Sequence, residues 1–71
     1  MKRIVVLGAG VSGVGAAVLA KKKGFDVFVS DKGKIKDKFK KTLLHNNIDY
    51  EEGTHTIKNI LIADEVIKSP G

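Results

Sequence analysis

The sequence predicts an α/β domain in which helices cover a parallel β-sheet. Two observations carry this prediction. Short apolar runs alternate with stretches of helical character along the 71 residues, which is typical of β-α-β units with right-handed crossovers. The first apolar run also ends at the glycine cluster "GAGVSG", and glycines between a strand and a helix let another group approach the backbone closely. We expect a single domain over residues 1–71, with about four parallel strands in the order 3-2-1-4 and helices on both faces.

The first half of the chain predicts two strands and the helix between them. Residues 2–7 form the first strand, because their apolar run is continuous rather than alternating, as in a strand covered on both faces. Residues 13–23 are predicted to be helical. Gly24 ends this helix because glycine readily adopts the left-handed cap conformation. Residues 25–30, "FDVFVS", predict a second buried strand.

The second half predicts two helices and two shorter strands. Residues 35–46 read as a lysine-rich helix with one apolar stripe. Residues 48–52 predict a short third strand, residues 57–61 a short helix and residues 65–68 a fourth strand. The stripe of the first of these helices comprises Ile35, Phe39, Leu43 and Leu44.

Composition excludes several classes of protein. The chain has no cysteine, and His45 and His55 lack the spacing of a metal site. No apolar stretch approaches the roughly 20 residues of a membrane span. The start "MKR" resembles that of a signal peptide, but Gly8 interrupts the apolar run that follows. We therefore expect a cytoplasmic protein without a bound metal or a membrane contact.

The positive charge is concentrated in the first part of the chain. Residues 1–41 hold eleven Lys or Arg and three Asp, whereas residues 42–71 hold two Lys and five acidic residues. A solvated lysine face explains this asymmetry, and nucleic-acid binding is the alternative. Almost all the basic residues are lysines with no interleaved aromatic residues on a strand, which favours the solvated face.

The glycine cluster matches the pattern G-x-G-x-x-G at Gly8, Gly10 and Gly13. The pattern alone is weak, but here it follows a predicted strand and opens a predicted helix, as in Rossmann-like nucleotide-binding domains. Gly8 would allow the tight turn, Gly10 the approach of a phosphate and Gly13 close packing of the helix. Backbone N–H groups and the hydroxyl of Ser12 would then bind the phosphate. The alternative is a glycine-rich turn that serves packing only.

Asp31 ends the second predicted strand, 18 residues after Gly13. A carboxylate at this place accepts hydrogen bonds from a bound nucleoside, either from ribose hydroxyls, as with NAD, or from a base N–H. It would repel a 2′-phosphate, which argues against NADP. The alternative is ordinary turn chemistry in "SDKG", with Gly33 at positive φ.

Two longer stretches resemble one family. The segment "GAGVSGVGAAVLAKKKGFDVFVSDKG", followed by "ADEVIKSPG" near residue 71, is similar to the N-terminal domain of the Mur ligases. The resemblance implies a domain that binds the UDP part of a UDP-sugar substrate. It places the diphosphate at the glycine loop, the uracil beside Asp31 and Lys32, and the sugar and phosphates near the loop after the fourth strand. The implied binding residues are Gly10, Val11, Ser12, Gly13, Asp31, Lys32, Ser69, Pro70 and Gly71.

The same resemblance implies that catalysis takes place outside these residues. In the family, ATP phosphorylates the substrate carboxylate and an amino acid attacks it, and ATP and Mg²⁺ bind to the central and C-terminal domains. We therefore expect no catalytic residue, metal or cofactor in this chain, and we interpret the chain as a truncated domain of a longer ligase. An NAD-binding domain of a dehydrogenase or nucleotide sensor is the alternative. His55, in "GTHT", is interpreted as a loop residue, with a place beside the substrate as its alternative.

Overall fold

The computed structural model describes residues 1–69 and contains every predicted element, with ends shifted by no more than two residues. The predictions for Pro70 and Gly71 lie outside the described residues. In chain order the elements are β1 (Arg3–Leu7), α1 (Val11–Lys22), β2 (Asp26–Asp31), α2 (Asp37–His45), β3 (Asp49–Glu52), α3 (Ile57–Leu61) and β4 (Glu65–Lys68).

The four strands form one parallel sheet in the order β3-β2-β1-β4, which confirms the predicted order. β1 lies inside the sheet, with Val5 opposite Phe28 of β2 and Val66 of β4. Val5 and its neighbour Val6 are completely buried although they point to opposite faces. This explains why the first apolar run is continuous.

The main core lies on the face that α1 and α2 cover together. α3 lies in the crossover that connects β3 to β4. This crossover runs across the sheet in the direction opposite to those from β1 to β2 and from β2 to β3. Because such connections are right-handed, α3 lies on the face of the sheet opposite to α1 and α2. None of its residues is buried. The buried core comprises Ile4, Val6, Ala9, Val14, Ala17, Ala20, Val27, Val29, Ile35, Leu43 and Ile48.

The apolar stripe predicted for α2 is wrong in one member. Leu43 is completely buried, whereas Leu44 is 63% exposed. Successive helical residues point about 100° apart, so only one of two adjacent leucines faces the sheet. Ile35 precedes the helix, yet its side chain is buried in the hydrophobic core. Its N–H donates to Glu52 Oε1 at 2.8 Å.

Glu52 therefore joins the segment before α2 to the end of β3. Its second carboxylate oxygen, Oε2, lies 2.6 Å from Lys40 Nζ. The hydrogen bond from Lys40 and that from the Ile35 N–H hold the pKa of Glu52 below its usual value. A carboxyl whose pKa is lowered by folding stabilises the fold above its unfolded pKa, and this contribution disappears as the pH falls.

We expect acidification from about pH 6 to about pH 3 to lower the free energy of unfolding more in the wild type than in Glu52→Gln, because the glutamine has no charge to lose. Urea unfolding at each pH measures the difference. The control is Glu65→Gln, which removes an exposed ion pair with Lys2. On acidification, its free energy of unfolding should fall by as much as that of the wild type. An equal pH dependence in all three proteins would contradict the role of Glu52.

Candidate functional site

The loop between β1 and α1 is fixed to the strands on both sides. The N–H of Gly8 donates to the carbonyl of Ser30 at the end of β2, at 2.8 Å. On the other side, the N–H of Ser69 after β4 donates to the carbonyl of Leu7, also at 2.8 Å. Gly8 has φ +103°, a conformation that favours glycine. The chain can therefore turn sharply at the sheet edge and enter α1.

Gly13 allows α1 to begin directly against this loop. It is buried, and a Cβ atom built on it would overlap the carbonyl oxygen of Gly8 and lie 3.2 Å from the Cβ of Ser69. Gly10 differs, because a Cβ atom there would meet nothing within 4 Å. Gly8 thus serves the turn and Gly13 the packing of the helix, whereas the space beside the Gly10 Cα is open.

The first turn of α1 leaves backbone N–H groups available. Gly10 is the N-cap residue and provides no side-chain cap, and the first intrahelical bond runs from the Val14 N–H to the Gly10 carbonyl at 2.9 Å. Val11, the first helical residue, is 77% exposed. Uncapped N–H groups and the positive end of the helix dipole together favour binding of an anion.

Asp31 binds the glycine loop with its carboxylate. Oδ2 accepts the N–H of Ala9 and Oδ1 accepts the N–H of Gly33, each at 2.8 Å. The alternative interpretation of Asp31 as ordinary turn chemistry included a positive φ at Gly33, and that angle is wrong, since the positive-φ glycines among residues 1–69 are Gly8, Gly24 and Gly53. The turn is held by the aspartate side chain instead. A carboxylate has about four lone-pair directions, so Asp31 retains capacity for a further donor.

Ser12 and Ser69 connect the start of α1 to the loop after β4. Their hydroxyl oxygens lie 2.8 Å apart, and either one donates. The hydroxyl that the sequence assigns to a phosphate is therefore already partnered, and it would have to share or exchange that bond on binding.

These features surround an open cleft of about 620 Å³ at the carboxyl ends of the strands, within the size range of small-molecule sites. Of the predicted binding residues, Gly10, Asp31, Lys32 and Ser69 line it, and Val11, Ser12 and Gly13 follow in α1. Among residues 1–69, the lining comprises Leu7, Gly8, Ala9, Gly10, Asp31, Lys32, His55, Lys68 and Ser69.

Sequence reasoning missed two polar residues of this lining as principal candidates. Lys68 ends β4 directly before Ser69, and that adjacency to "SPG" was the available signal. His55 lines the cleft beside Lys32, although its position after β3 predicted mainly a loop residue. Within residues 1–69, neither Lys32 nor Lys68 forms an ion pair with a carboxylate, so both cations are available to an anionic ligand.

Residues 1–69 contain no group of three or more His, Cys, Asp or Glu side chains placed to hold a metal ion. None of the helices described for this chain has the length and apolar character needed to cross a membrane.

The sheet order, the glycine loop and a cleft at the carboxyl ends of β1 and β4, where the strand order reverses, define a Rossmann-like α/β domain with an open cleft at its switch point. Comparison with known families then identifies the group. Residues 3–71 match the MurD N-terminal domain, and the chain belongs to that family.

Curated relatives agree with this assignment, and each is named UDP-N-acetylmuramoylalanine–D-glutamate ligase. The relative from Bacteroides fragilis is 69% identical over 71 residues, which is 100% of this chain. Those from Christiangramia forsetii and Chlorobium phaeobacteroides are 60% and 41% identical over 70 residues, or 99% of the chain. The chain spans 16% of the length of the first two relatives and 15% of the third.

The packing of Gly13 generates a stability prediction. We expect Gly13→Ala to lower the free energy of unfolding by about 2–3 kcal/mol, because the new methyl group overlaps the Gly8 carbonyl. Gly15→Ala is the matched control within the same helix. Gly15 has open space around its Cβ position, so alanine should stabilise the protein by about 0.5–1 kcal/mol. Urea unfolding that ranks the two variants equally would contradict the packing role.

The two hydrogen bonds that the Asp31 carboxylate accepts generate a second stability prediction. We expect Asp31→Asn to cost about 1–3 kcal/mol, because the amide has one acceptor oxygen for two backbone N–H groups. The Ala9 N–H or the Gly33 N–H should also exchange faster with solvent, which NMR measures. Asp49→Asn is the control, since Asp49 is exposed and accepts no hydrogen bond through its side chain from residues 1–69. Asp31→Asn as stable as this control would show that the carboxylate does not hold the loop.

Proposed function

We propose that this chain is the UDP-binding domain of a ligase that joins D-glutamate to UDP-N-acetylmuramoyl-L-alanine during peptidoglycan precursor synthesis. The observation that carries the proposal is the uncapped start of α1, which opens beside a cleft lined by Lys32 and Lys68, two lysines without an ion pair within residues 1–69. Family membership supports the choice of ligand, because the relatives are named for a UDP-linked substrate.

The diphosphate binds at the glycine loop in this proposal. The N–H groups of Val11, Ser12 and Gly13 point out of the first turn of α1, and the open side of Gly10 lets phosphate oxygens reach them. Lys32 and Lys68 line the same cleft and supply positive charge. Backbone donors fix the position of the phosphates, while the exposed lysines add attraction that salt weakens.

The nucleoside lies toward β2 and the sugar toward β4. Asp31 and Lys32 are at the β2 side of the cleft, and Ser69 is at the β4 side. Asp31 has lone pairs left for a donor of the base, and its negative charge disfavours a ligand with a 2′-phosphate. Pro70 and Gly71, which follow Ser69 in the sequence and lie outside the described residues, are proposed to contact the ligand as well.

The chemical step belongs to the rest of the parent enzyme. ATP phosphorylates the substrate carboxylate, and the amine of D-glutamate attacks the acyl phosphate. We propose that central and C-terminal domains outside this chain bind ATP and Mg²⁺ and are its partners, and that the chain alone is catalytically silent. A cytoplasmic location follows, since UDP-linked precursors are handled there. This chain would hold the substrate by its nucleotide end.

A ligand titration tests the proposal against the NAD and nucleic-acid alternatives. UDP-N-acetylglucosamine, NAD and a short oligonucleotide are added to the ¹⁵N-labelled chain, after its dispersed amide spectrum shows that it is folded. We expect the UDP-sugar to shift the amides of Gly10–Gly13 and Asp31. Larger shifts with NAD would favour a dehydrogenase-type domain. Binding of the oligonucleotide through the lysines of α2, with a steep salt dependence, would favour nucleic acid.

Gly10→Ala separates binding from folding in the same assay. Its backbone angles, φ −86° and ψ −166°, suit alanine, and the new methyl group meets no protein atom within 4 Å. We expect stability within about 1 kcal/mol of the wild type, the cost of an alanine N-cap, but at least about tenfold weaker binding of the UDP-sugar, because the methyl group occupies the phosphate approach. Gly15→Ala is the control and should bind normally. Unchanged affinity in Gly10→Ala would refute the proposed phosphate position.

A further inference from the structure

His55 gives the cleft a polar wall that the phosphate site does not use. It follows β3, is half-buried, and lines the cleft together with Asp31 and Lys32. Its ring nitrogen Nδ1 lies 2.6 Å from the hydroxyl oxygen of Ser30, a residue of β2 that is completely buried. One edge of the ring is thus held against the sheet.

The Ser30 hydroxyl has one proton and several neighbours that could accept it. Glu51 Oε2 is 2.9 Å away, and the carbonyl of Thr54 is 3.3 Å away. Glu51 also accepts the N–H and the hydroxyl of Thr56, at 2.9 Å and 2.6 Å. Burial raises the pKa of Glu51, but the bonds from Thr56, Ser30 and Asn59 outweigh it and lower the pKa below its usual value. Glu51 is therefore a carboxylate at neutral pH.

The carboxylate decides where the Ser30 proton goes. A hydrogen bond to an ionised acceptor is roughly twice as strong as one between neutral groups. If the proton went to His55, the Ser30 oxygen and Glu51 Oε2 would face each other at 2.9 Å without a hydrogen between them. The hydroxyl thus donates to Glu51, and its lone pairs face Nδ1.

This arrangement fixes the tautomer of His55. The Ser30 hydroxyl donates its one proton to Glu51, so its oxygen can only accept a hydrogen bond from His55. Nδ1 of His55 must therefore carry the hydrogen. In the neutral ring the other nitrogen, Nε2, is then a hydrogen-bond acceptor. Nε2 has no hydrogen-bond partner among residues 1–69.

We infer that His55 is a nucleoside-binding residue, whose Nε2 accepts a hydrogen bond from an O–H or N–H group of the uridine. The inference rests on the proposed function and deepens it. Both oxygens of Asp31 already accept a backbone N–H group, whereas Nε2 of His55 has no partner among residues 1–69.

The position and the charge of Nε2 favour the nucleoside over the phosphates. His55 is joined to β2 through Ser30, whereas the start of α1 follows β1. The Nε2 lone pair would repel phosphate oxygens and attract donors. The charged groups around the ring are Asp31, Lys32 and Lys68 in the cleft and Glu51 behind Ser30, and the two lysines serve the phosphates.

The first test reads the tautomer without any ligand. Long-range ¹H–¹⁵N correlation spectra distinguish ring nitrogens with and without a hydrogen. We expect His55 to carry its hydrogen on Nδ1. His45, which is exposed at the end of α2, serves as the reference. Ser30→Ala should remove the constraint and make the His55 spectrum resemble that of His45. A hydrogen on Nε2 of His55 in the wild type would overturn the inference.

The second test measures affinity for uridine and for UDP-N-acetylglucosamine. We expect His55→Ala to weaken both by about fivefold to tenfold, the effect of one lost hydrogen bond, and His45→Ala to change neither. His55→Gln keeps an acceptor oxygen and should recover part of the affinity. Two analogues identify the group that donates to His55: 2′-deoxyuridine lacks the ribose 2′-hydroxyl, and N3-methyluridine lacks the N–H of the base. The analogue without the donating group should bind equally to the wild type and to His55→Ala.

The possible outcomes separate this inference from the proposed function. A loss confined to the UDP-sugar, with uridine unaffected, would show a phosphate contact and overturn the nucleoside role. Normal binding by the wild type and by His55→Ala would overturn this inference alone. If no uridine compound bound the wild type, the proposed function would fail and this role with it, while the tautomer measurement would still stand.

Discussion

The close approach of α1 to its own entry loop is the contact on which the rest of the site depends. Gly13 has no side chain, so the helix begins where a Cβ atom would overlap the Gly8 carbonyl. This brings the first N–H groups of α1 to the carboxyl edge of the sheet, between β2 and β4. Because Gly8 and Ser69 are bonded to the strands on either side, the helix start has one fixed place relative to the cleft.

The Asp31 side chain holds the glycine loop and also lines the cleft. Its carboxylate holds Ala9 of the glycine loop and Gly33 of its own turn, so it shapes the cleft before any ligand arrives. A nucleoside donor would be a third partner for an acceptor that is already engaged. This is the reason to assign part of the nucleoside recognition to His55, whose Nε2 has no partner among residues 1–69.

The uneven charge of the chain has a different meaning once the fold is known. Five lysines lie in or just before α2, which packs on the core face of the sheet: Lys34, Lys36, Lys38, Lys40 and Lys41. Within residues 1–69, the lysines that line the cleft are Lys32 and Lys68. One of the α2 lysines, Lys40, pairs with Glu52 and stabilises the connection to β3. The excess of positive charge is therefore mostly a property of the helix surface, and the cleft obtains its cations from two strand ends.

The sequence by itself determined the order of the elements along the chain and the glycine loop, because these follow from local patterns: continuous apolar runs, helical spacing and glycines at a strand end. The order of the strands within the sheet was expected from the Rossmann-like class and not from a local pattern. The sequence also placed Gly10, Asp31 and Lys32 at the cleft, since strand ends in a parallel sheet meet at one edge. Only the tertiary structure showed that Leu44 is exposed and that Lys68 and His55 line the cleft. It alone joined His55 to Ser30 and Glu51. These contacts depend on which residues of distant strands become neighbours in the fold. They also depend on which neighbour accepts the proton of the Ser30 hydroxyl. The spacing of residues along the chain specifies neither.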